Sequence, residues 1–254
     1  MEFTDFYNII RKSRVTSTND EAKLLAQNSE KEGTVVVADS QTAGRGRMSR
    51  SFYSPSGTGI YMSIILRPKL SPNKSLLITT AAAVAVCRAI EKTLSLEPQI
   101  KWVNDIFLNG KKVCGILTEA SLSTVSQTLE YAILGIGINL APPKDNFPTE
   151  ISSIATSLLN ECDEDCKQKI INSVLEEFYE LYQDLENTQI LKEYRHRSLL
   201  DGMAITVHKS AEQYDATCVG VDDDFALIVE RNGINERLNT GEVSIRMRDN
   251  NENQ

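Results

Sequence analysis

The chain has 254 residues, of which 41% are hydrophobic and 24% charged, enough to bury a sizeable core in one large domain or in one plus a small appendage. Its 27 basic residues face 35 acidic ones, a formal net charge of −8, which disfavours a general binder of nucleic acid or anionic membranes and confines any anion site to a local cluster. No apolar run approaches the roughly 20 residues that cross a bilayer, the opening MEFTDFYNII lacks the basic-then-apolar order of a signal peptide, and five scattered cysteines fit reduced thiols, so a cytoplasmic location is expected.

In chain order, Ser17, Thr18 and Asn19 precede a run of helix formers in STNDEAKLLAQ, so one of them should cap a helix that runs to near Gly33. TVVVA is a short β-branched run and reads as a buried strand. TAGRGRMSR then places two glycines among three arginines. Such glycines let the main chain turn tightly and approach a ligand, while guanidinium groups converge on phosphate or carboxylate oxygens. The loop matches neither the P-loop nor the Rossmann pattern. GIYMSIIL is strand-like, and SLLITTAAAVAVCRAIEKTL reads as a mostly buried helix.

KWVND packs one cation, the only tryptophan, an amide and a carboxylate into five positions. Lys101 and Asp105 share a face if that segment is extended. DIFL and KVCGILTE flank NGK, which predicts a hairpin whose positive backbone angles fall on Asn109 and Gly110. Lys111 and Lys112 follow this turn. TLEYAILGIGINL reads as a strand ending in Gly-x-Gly, where a ligand or another backbone comes close. APPKDNFP is a loop, and residues 151–198 carry helical spacing for two or three helices. Five short strands are expected near 204–208, 214–221, 225–230, 234–239 and 242–246, punctuated by DDD, NG and TG. Cys162 and Cys166 form the only close cysteine pair; with two histidines a zinc site is not expected. Cys87 and Cys114 read as core.

Singly these motifs are weak, but their joint order is not. STNDEA, QTAGRGRMSR, KWVND, GKKVCGILTE and GIGIN, in this order and at these separations, closely resemble the biotin-protein ligases, or biotin-[acetyl-CoA-carboxylase] ligases. Those enzymes attach biotin to a lysine of carrier domains of biotin-dependent carboxylases. The resemblance runs from about residue 12 to residue 140 and extends to the C-terminal strands. It implies an α+β fold: a mixed or antiparallel sheet flanked by helices, like the catalytic domain of class II aminoacyl-tRNA synthetases, over residues 1–199. An SH3-like β-barrel over 200–248 and a polar tail over 249–254 would follow. Lipoate ligases and octanoyl transferases share this fold but lack the GRGR and KW-x-ND pair.

The resemblance also implies roles. Ser17, Thr18, Asn19 and Gln41 would hydrogen-bond the ureido head of biotin; Arg45, Gly46 and Arg47 would wrap the biotin carboxylate and the nucleotide α-phosphate. Lys112 would stand beside the same oxygens, with Gly115 against the acid. Lys101 and Asp105 would serve the ATP phosphates and their magnesium, Asp105 being the metal carboxylate. Arg50, Asn104 and Asn139 would lie around the nucleotide and Phe52 near the adenine. Arg47, Lys101, Asp105 and Lys112 make up the implied catalytic set. The implied reaction forms biotinyl-5′-adenylate and then transfers biotin to a carrier-domain lysine, with no histidine or cysteine nucleophile. Relatives commonly have glycine in place of Ser49 and proline in place of Val103. Bifunctional relatives begin with a helix-turn-helix domain; only the residues before Ser17 precede the first motif here, so no operator binding is expected. A homodimer through a sheet edge is compatible with the pattern. A lipoate ligase, a non-catalytic biotin-binding adaptor and a nucleic-acid module are the competing readings; the charges of Arg47, Lys101 and Lys112 favour chemistry on phosphates.

Overall fold

The computed structural model describes residues 3–123, 128–209, 212–239 and 243–247. A one-turn helix, α1 (Phe3–Phe6), leads into β1 (Asn8–Lys12), then α2 (Thr18–Gln27), β2 (Thr34–Ala38) and β3 (Gly59–Leu66). The long helix α3 (Leu76–Leu94) is followed by β4 (Gln99–Lys101), β5 (Asp105–Leu108), β6 (Lys111–Leu122) and β7 (Leu129–Asn139). Helices α4 (Thr149–Ser152), α5 (Glu164–Tyr182) and α6 (Thr188–His196) precede a second set of strands: β8 (Ala204–Lys209), β9 (Gln213–Val221), β10 (Leu227–Arg231), β11 (Ile234–Leu238) and β12 (Val243–Met247).

The first seven strands form one mixed sheet in the order β1-β2-β3-β7-β6-β5-β4. Only β1 and β2 pair in parallel; the rest are antiparallel. Helices cover both faces, and strand alternation divides the side chains between them. Val35, Val37, Ile60, Met62, Ile64 and Leu66 join the large core beneath α3 and α5. Val36 and Ile65 point the other way, onto Ala22 and Ala26 of α2. Burial on both faces is why TVVVA and GIYMSIIL are continuous apolar runs, with all their residues buried. The alanines of α3 let that helix lie close to the sheet and to α5.

Helix α2 ends at Gln27, short of the expected Gly33. Ser29 takes a left-handed φ of 64°, and Gly33, at φ 82°, turns the chain into β2, where a Cβ would strike the Phe6 carbonyl. That steric demand, rather than helix termination, explains the glycine.

The last five strands form a separate antiparallel sheet, β11-β10-β9-β8-β12, close to the expected positions; the expected polar tail lies outside the described residues. This sheet shares the main apolar core. It also braces the turn after β4: the Trp102 indole donates to the Phe225 carbonyl (2.9 Å), and Tyr194 donates to the Val103 carbonyl (3.1 Å) while meeting the Phe225 ring edge-on at 5.3 Å. Among the described residues no helix is long and apolar enough to cross a membrane.

Candidate active site

Register across the sheet builds the floor of a cleft. Lys101 pairs with Asp105, Asp105 with Gly115, Gly115 with Gly137 and Gly137 with Tyr61. Directly opposed residues project on one face, so a single transverse row runs from a cation and a carboxylate, across two bare glycines, to a tyrosine. The next row on that face is Leu117, Gly135 and Ser63. The alternate glycines of GIGIN therefore clear space on the α2 side of the sheet. What fills it is close: a Cβ on Gly137 would lie 2.6 Å from Phe52 Cε1, and one on Gly115 would lie 3.2 Å from the same ring.

Lys101 and Asp105 do share a face, but not along one extended segment. Trp102, Val103 and Asn104 form a turn, with a cis Trp102–Val103 peptide, so the two charges meet across a hairpin. The second hairpin follows the expected chemistry, with Asn109 at φ 51° and Gly110 at φ 76°. A bulge in the β5–β6 register sets Lys112 opposite Phe107 instead of continuing the alternation from Cys114. Bulges re-aim side chains in this way: Lys112 joins the cleft face and donates to Asp105 Oδ1 at 2.6 Å, rather than standing free in solvent. Its backbone is held by Ile154 and Thr156 (2.8 and 2.9 Å).

Around Asp105 the charge balance favours cations. Arg47 donates to the neutral Asn104 Oδ1 (3.0 Å), and burial lowers its pKa, a shift that Asp105 opposes. Burial likewise holds Lys101 below the ordinary lysine value of 10.5, against the pull of Asp105; Lys112, Arg50 and Arg246 lower it further. Lys101 has no ion-pair partner among the described residues, and its Nζ lies 5.4 Å from the Phe107 ring centre. Asn104 is spent on structure, giving Nδ2 to the Ile116 carbonyl (2.8 Å) and to Asp105 Oδ1 (3.1 Å).

At the other end, the start of α2 supplies Ser17, Thr18 and Asn19, all buried. Ser17 occupies the N-cap position, but its side chain makes no cap hydrogen bond, so the hydroxyl is not consumed by its own helix. Gln41 Oε1 accepts from the Thr18 N–H (2.8 Å) and hydroxyl (3.0 Å); its amide donates to Ser54 Oγ (2.8 Å). Asn19 Nδ2 donates to Glu119 Oε2 at 2.8 Å, and its Oδ1 accepts from Ser63, which is wholly buried, at 2.6 Å. These groups, with Arg45, Phe52, Gly115, Leu117 and the β7 glycines, line a cavity of only about 20 Å³, roughly one water sphere. The Phe52 ring occupies the remainder.

The arginine loop folds over this cavity. Arg45 pairs with Asp20 and, at 2.6 Å, with Glu119. Met48 and Ser49 both adopt left-handed angles, φ 54° and 59°, a conformation in which glycine is unstrained; the expectation of glycine in place of Ser49 has this physical reason. Gly46 closes the loop by donating to the Arg50 carbonyl at 2.7 Å, and Arg50 itself is exposed.

The structure thus gathers Ser17, Thr18, Asn19, Gln41, Arg45 and Gly115 at one end, and Arg47, Lys101, Asn104, Asp105 and Lys112 at the other. Asn139 stands apart in role, with its amide donating to the Thr156 carbonyl (3.1 Å) and its backbone accepting from Leu158. Sequence reading missed Asp20 and Glu119, which sit inside STNDEA and GKKVCGILTE without an assigned role, and Ser63 and Arg246, lone polar residues outside any motif. Cys87 and Cys114 are core, and burial pushes both thiols up, so neither is a thiolate nucleophile.

Residues 11–139 match the biotin/lipoate A/B protein ligase family. The bifunctional ligase/repressor BirA of Bacillus spizizenii is 39% identical over 227 residues, covering 88% of this chain and 69% of that protein. The biotin–[acetyl-CoA-carboxylase] ligase of Mycobacterium tuberculosis is 29% identical over 239 residues, 89% of this chain and 85% of that one. The structure of Aquifex aeolicus biotin protein ligase in complex with biotin and ATP is similar with a TM-score of 0.76 at 26% identity, over 96% of this chain and 100% of that one. The chain belongs to the biotin/lipoate A/B protein ligase family. Within it, the chain is an enzyme of the biotin–protein ligase class.

Proposed function

We propose that this enzyme activates biotin as biotinyl-5′-adenylate and transfers it to a lysine of a biotin carboxyl carrier domain. The observation that carries this reading is the continuity of the cleft: a pocket walled by the neutral polar side chains of Ser17–Asn19 and Gln41 meets a cation cluster across the bare Gly115, whose added Cβ would lie 3.1 Å from Lys112 Nζ. A ureido ring needs the first and a triphosphate the second. Biotin and ATP bound together in the Aquifex aeolicus structure support the pairing.

In the first step the biotin carboxylate attacks the α-phosphorus and pyrophosphate leaves. Arg47 and Lys112 offset the repulsion between the two anions and stabilise charge on the transferring group in a water-poor cleft. Lys101 holds the distal phosphates. In the second step the carrier lysine's amine attacks the acyl carbon and AMP leaves. Asp105 is the one carboxylate in the row, with Oδ1 already shared by Lys112 and Asn104. That donor set fits a magnesium that arrives on the triphosphate and takes at most one protein carboxylate. Magnesium would supply charge neutralisation there. We read the C-terminal sheet as the family's SH3-like barrel, in a division near residue 200, and the main sheet as the class II synthetase-like half.

ATP–pyrophosphate exchange tests the reading. Exchange should depend on biotin, and labelled biotin should then pass to a carrier domain. Exchange driven by lipoate and not by biotin would overturn it.

A further inference from the structure

Resting on the ligase reading, we propose that Glu119 is a positioning residue that sets the specificity of the acid pocket by fixing the polarity of the Asn19 amide. The amide is held from both sides. Ser63 Oγ lies 2.6 Å from Oδ1, which only accepts, and 2.8 Å from Thr18 Oγ1, so its one proton can serve either oxygen. Glu119 Oε2 lies 2.8 Å from Nδ2 and can only accept when ionised. Turning the amide over would set Oδ1 against the ionised carboxylate and lose that bond, whereas Ser63 could accept from Nδ2 and turn its proton to Thr18 Oγ1, so Glu119 is the group that fixes the polarity. Gly135 is part of the same arrangement, because a Cβ there would collide with Asn19 Oδ1.

The consequence is chemical. With one Nδ2 proton committed to Glu119, the second remains for a ligand, so the pocket wall presents a donor. It thereby favours an acid whose ring carries a carbonyl acceptor over one of similar size whose ring carries only sulfur. The other oxygen of Glu119 accepts from Arg45 Nη2 at 2.6 Å, so the carboxylate that orients the wall also fastens the arginine loop beside it. Glu119 closes the GKKVCGILTE motif, and it touches Asn19 and Arg45 without belonging to the phosphate cluster.

Glu119→Gln tests this. A glutamine keeps the size but can pair with Asn19 in either orientation, so it removes the bias without emptying the space. Biotin KM should rise about tenfold, the range of one hydrogen bond. The ATP KM and kcat should stay within about twofold, and the preference for biotin over lipoate in pyrophosphate exchange should fall. A biotin KM that does not move, or one that rises together with the ATP KM and a lowered melting temperature, would show a merely structural role and overturn the inference. Asn19→Asp with Glu119→Gln supplies the second arm: it restores two complementary hydrogen bonds and should fold, yet offers no donor and should not bind biotin; tight binding by that variant would also overturn it. Wild-type enzyme that shows no biotin-dependent exchange would instead sink the ligase reading, and this inference with it.

Discussion

At the Ser17 end of the cleft, Thr18, Asn19 and Gln41 are already engaged by neighbours that fix their orientation. At the Lys101 end, Arg47, Lys101 and Lys112 gather around the carboxylate of Asp105, with which Lys112 is ion-paired. The first end selects by geometry: a neutral ring is recognised when each donor and acceptor is held in place beforehand, because unpaired buried polar groups are costly. The second selects by charge, since a triphosphate brings several negative oxygens and tolerates some freedom in the cations that meet it. This division also shows how a chain of net charge −8 would accept a triphosphate: the positive field is local, and Asp20 and Glu119 already offset Arg45.

The largest effect should come from the boundary between the two ends. Arg47 is half-buried and donates to the neutral Asn104 Oδ1 beside Asp105, where it would meet charge that develops on the transferring phosphorus. Arg47→Ala should slow adenylate formation about 100-fold or more, the loss typical of a preorganised transition-state donor. Single-turnover formation of the adenylate, measured at saturating ATP and biotin, reads this directly. Near-normal turnover would mean that the cluster acts as a diffuse field and that no one cation matters.

The geometric end makes a different demand. Gly135→Ala places a methyl against Asn19 Oδ1 and should weaken biotin binding about 30-fold, within what ~1–3 kcal/mol of overpacking gives, while ATP affinity holds. Removing Asn19 in the same chain relieves the clash, so Gly135→Ala with Asn19→Ala should recover its melting temperature but not its biotin affinity. Calorimetric titration of both variants separates the two effects. If ATP affinity falls equally, the two ends are mechanically coupled and the contrast fails.

How much of this was legible beforehand follows from the same contrast. The β-branched runs, the alanine-rich helix and the Asn109–Gly110 turn are local, and each appears where its residues predict. The strand β1 was missed because an edge strand exposed at both ends, with Asn, Arg and Lys among its five residues, carries little alternation. KWVND reads as extended because no glycine or proline marks its turn; the brace on that turn comes from Phe225 and Tyr194, far along the chain. The glycines of GIGIN could be read as a close approach, but not what approaches them: Asn19 and Phe52 meet them only through sheet register. Ser63 had no signal, and Glu119 only its place at the end of GKKVCGILTE, since a serine or glutamate on a strand face looks the same whether it orients a neighbour or meets solvent.

Lys101 gives the smallest effect and the clearest test of the charged end. Burial places its pKa below the ordinary 10.5, with Lys112, Arg50 and Arg246 acting in the same direction and Asp105 against. A lysine is cationic below its pKa, so the charge available to phosphate is lost as pH rises through that lowered value. kcat/KM for ATP, which follows the free enzyme, should therefore fall on the alkaline side before an ordinary lysine would titrate. The bound triphosphate favours the cation, so kcat should hold to higher pH. The loss should be about fivefold, the ceiling for a partly exposed ion pair of about 1 kcal/mol. Lys101→Arg keeps its charge throughout and should abolish that alkaline limb, whereas an unchanged limb would assign the titration to another group.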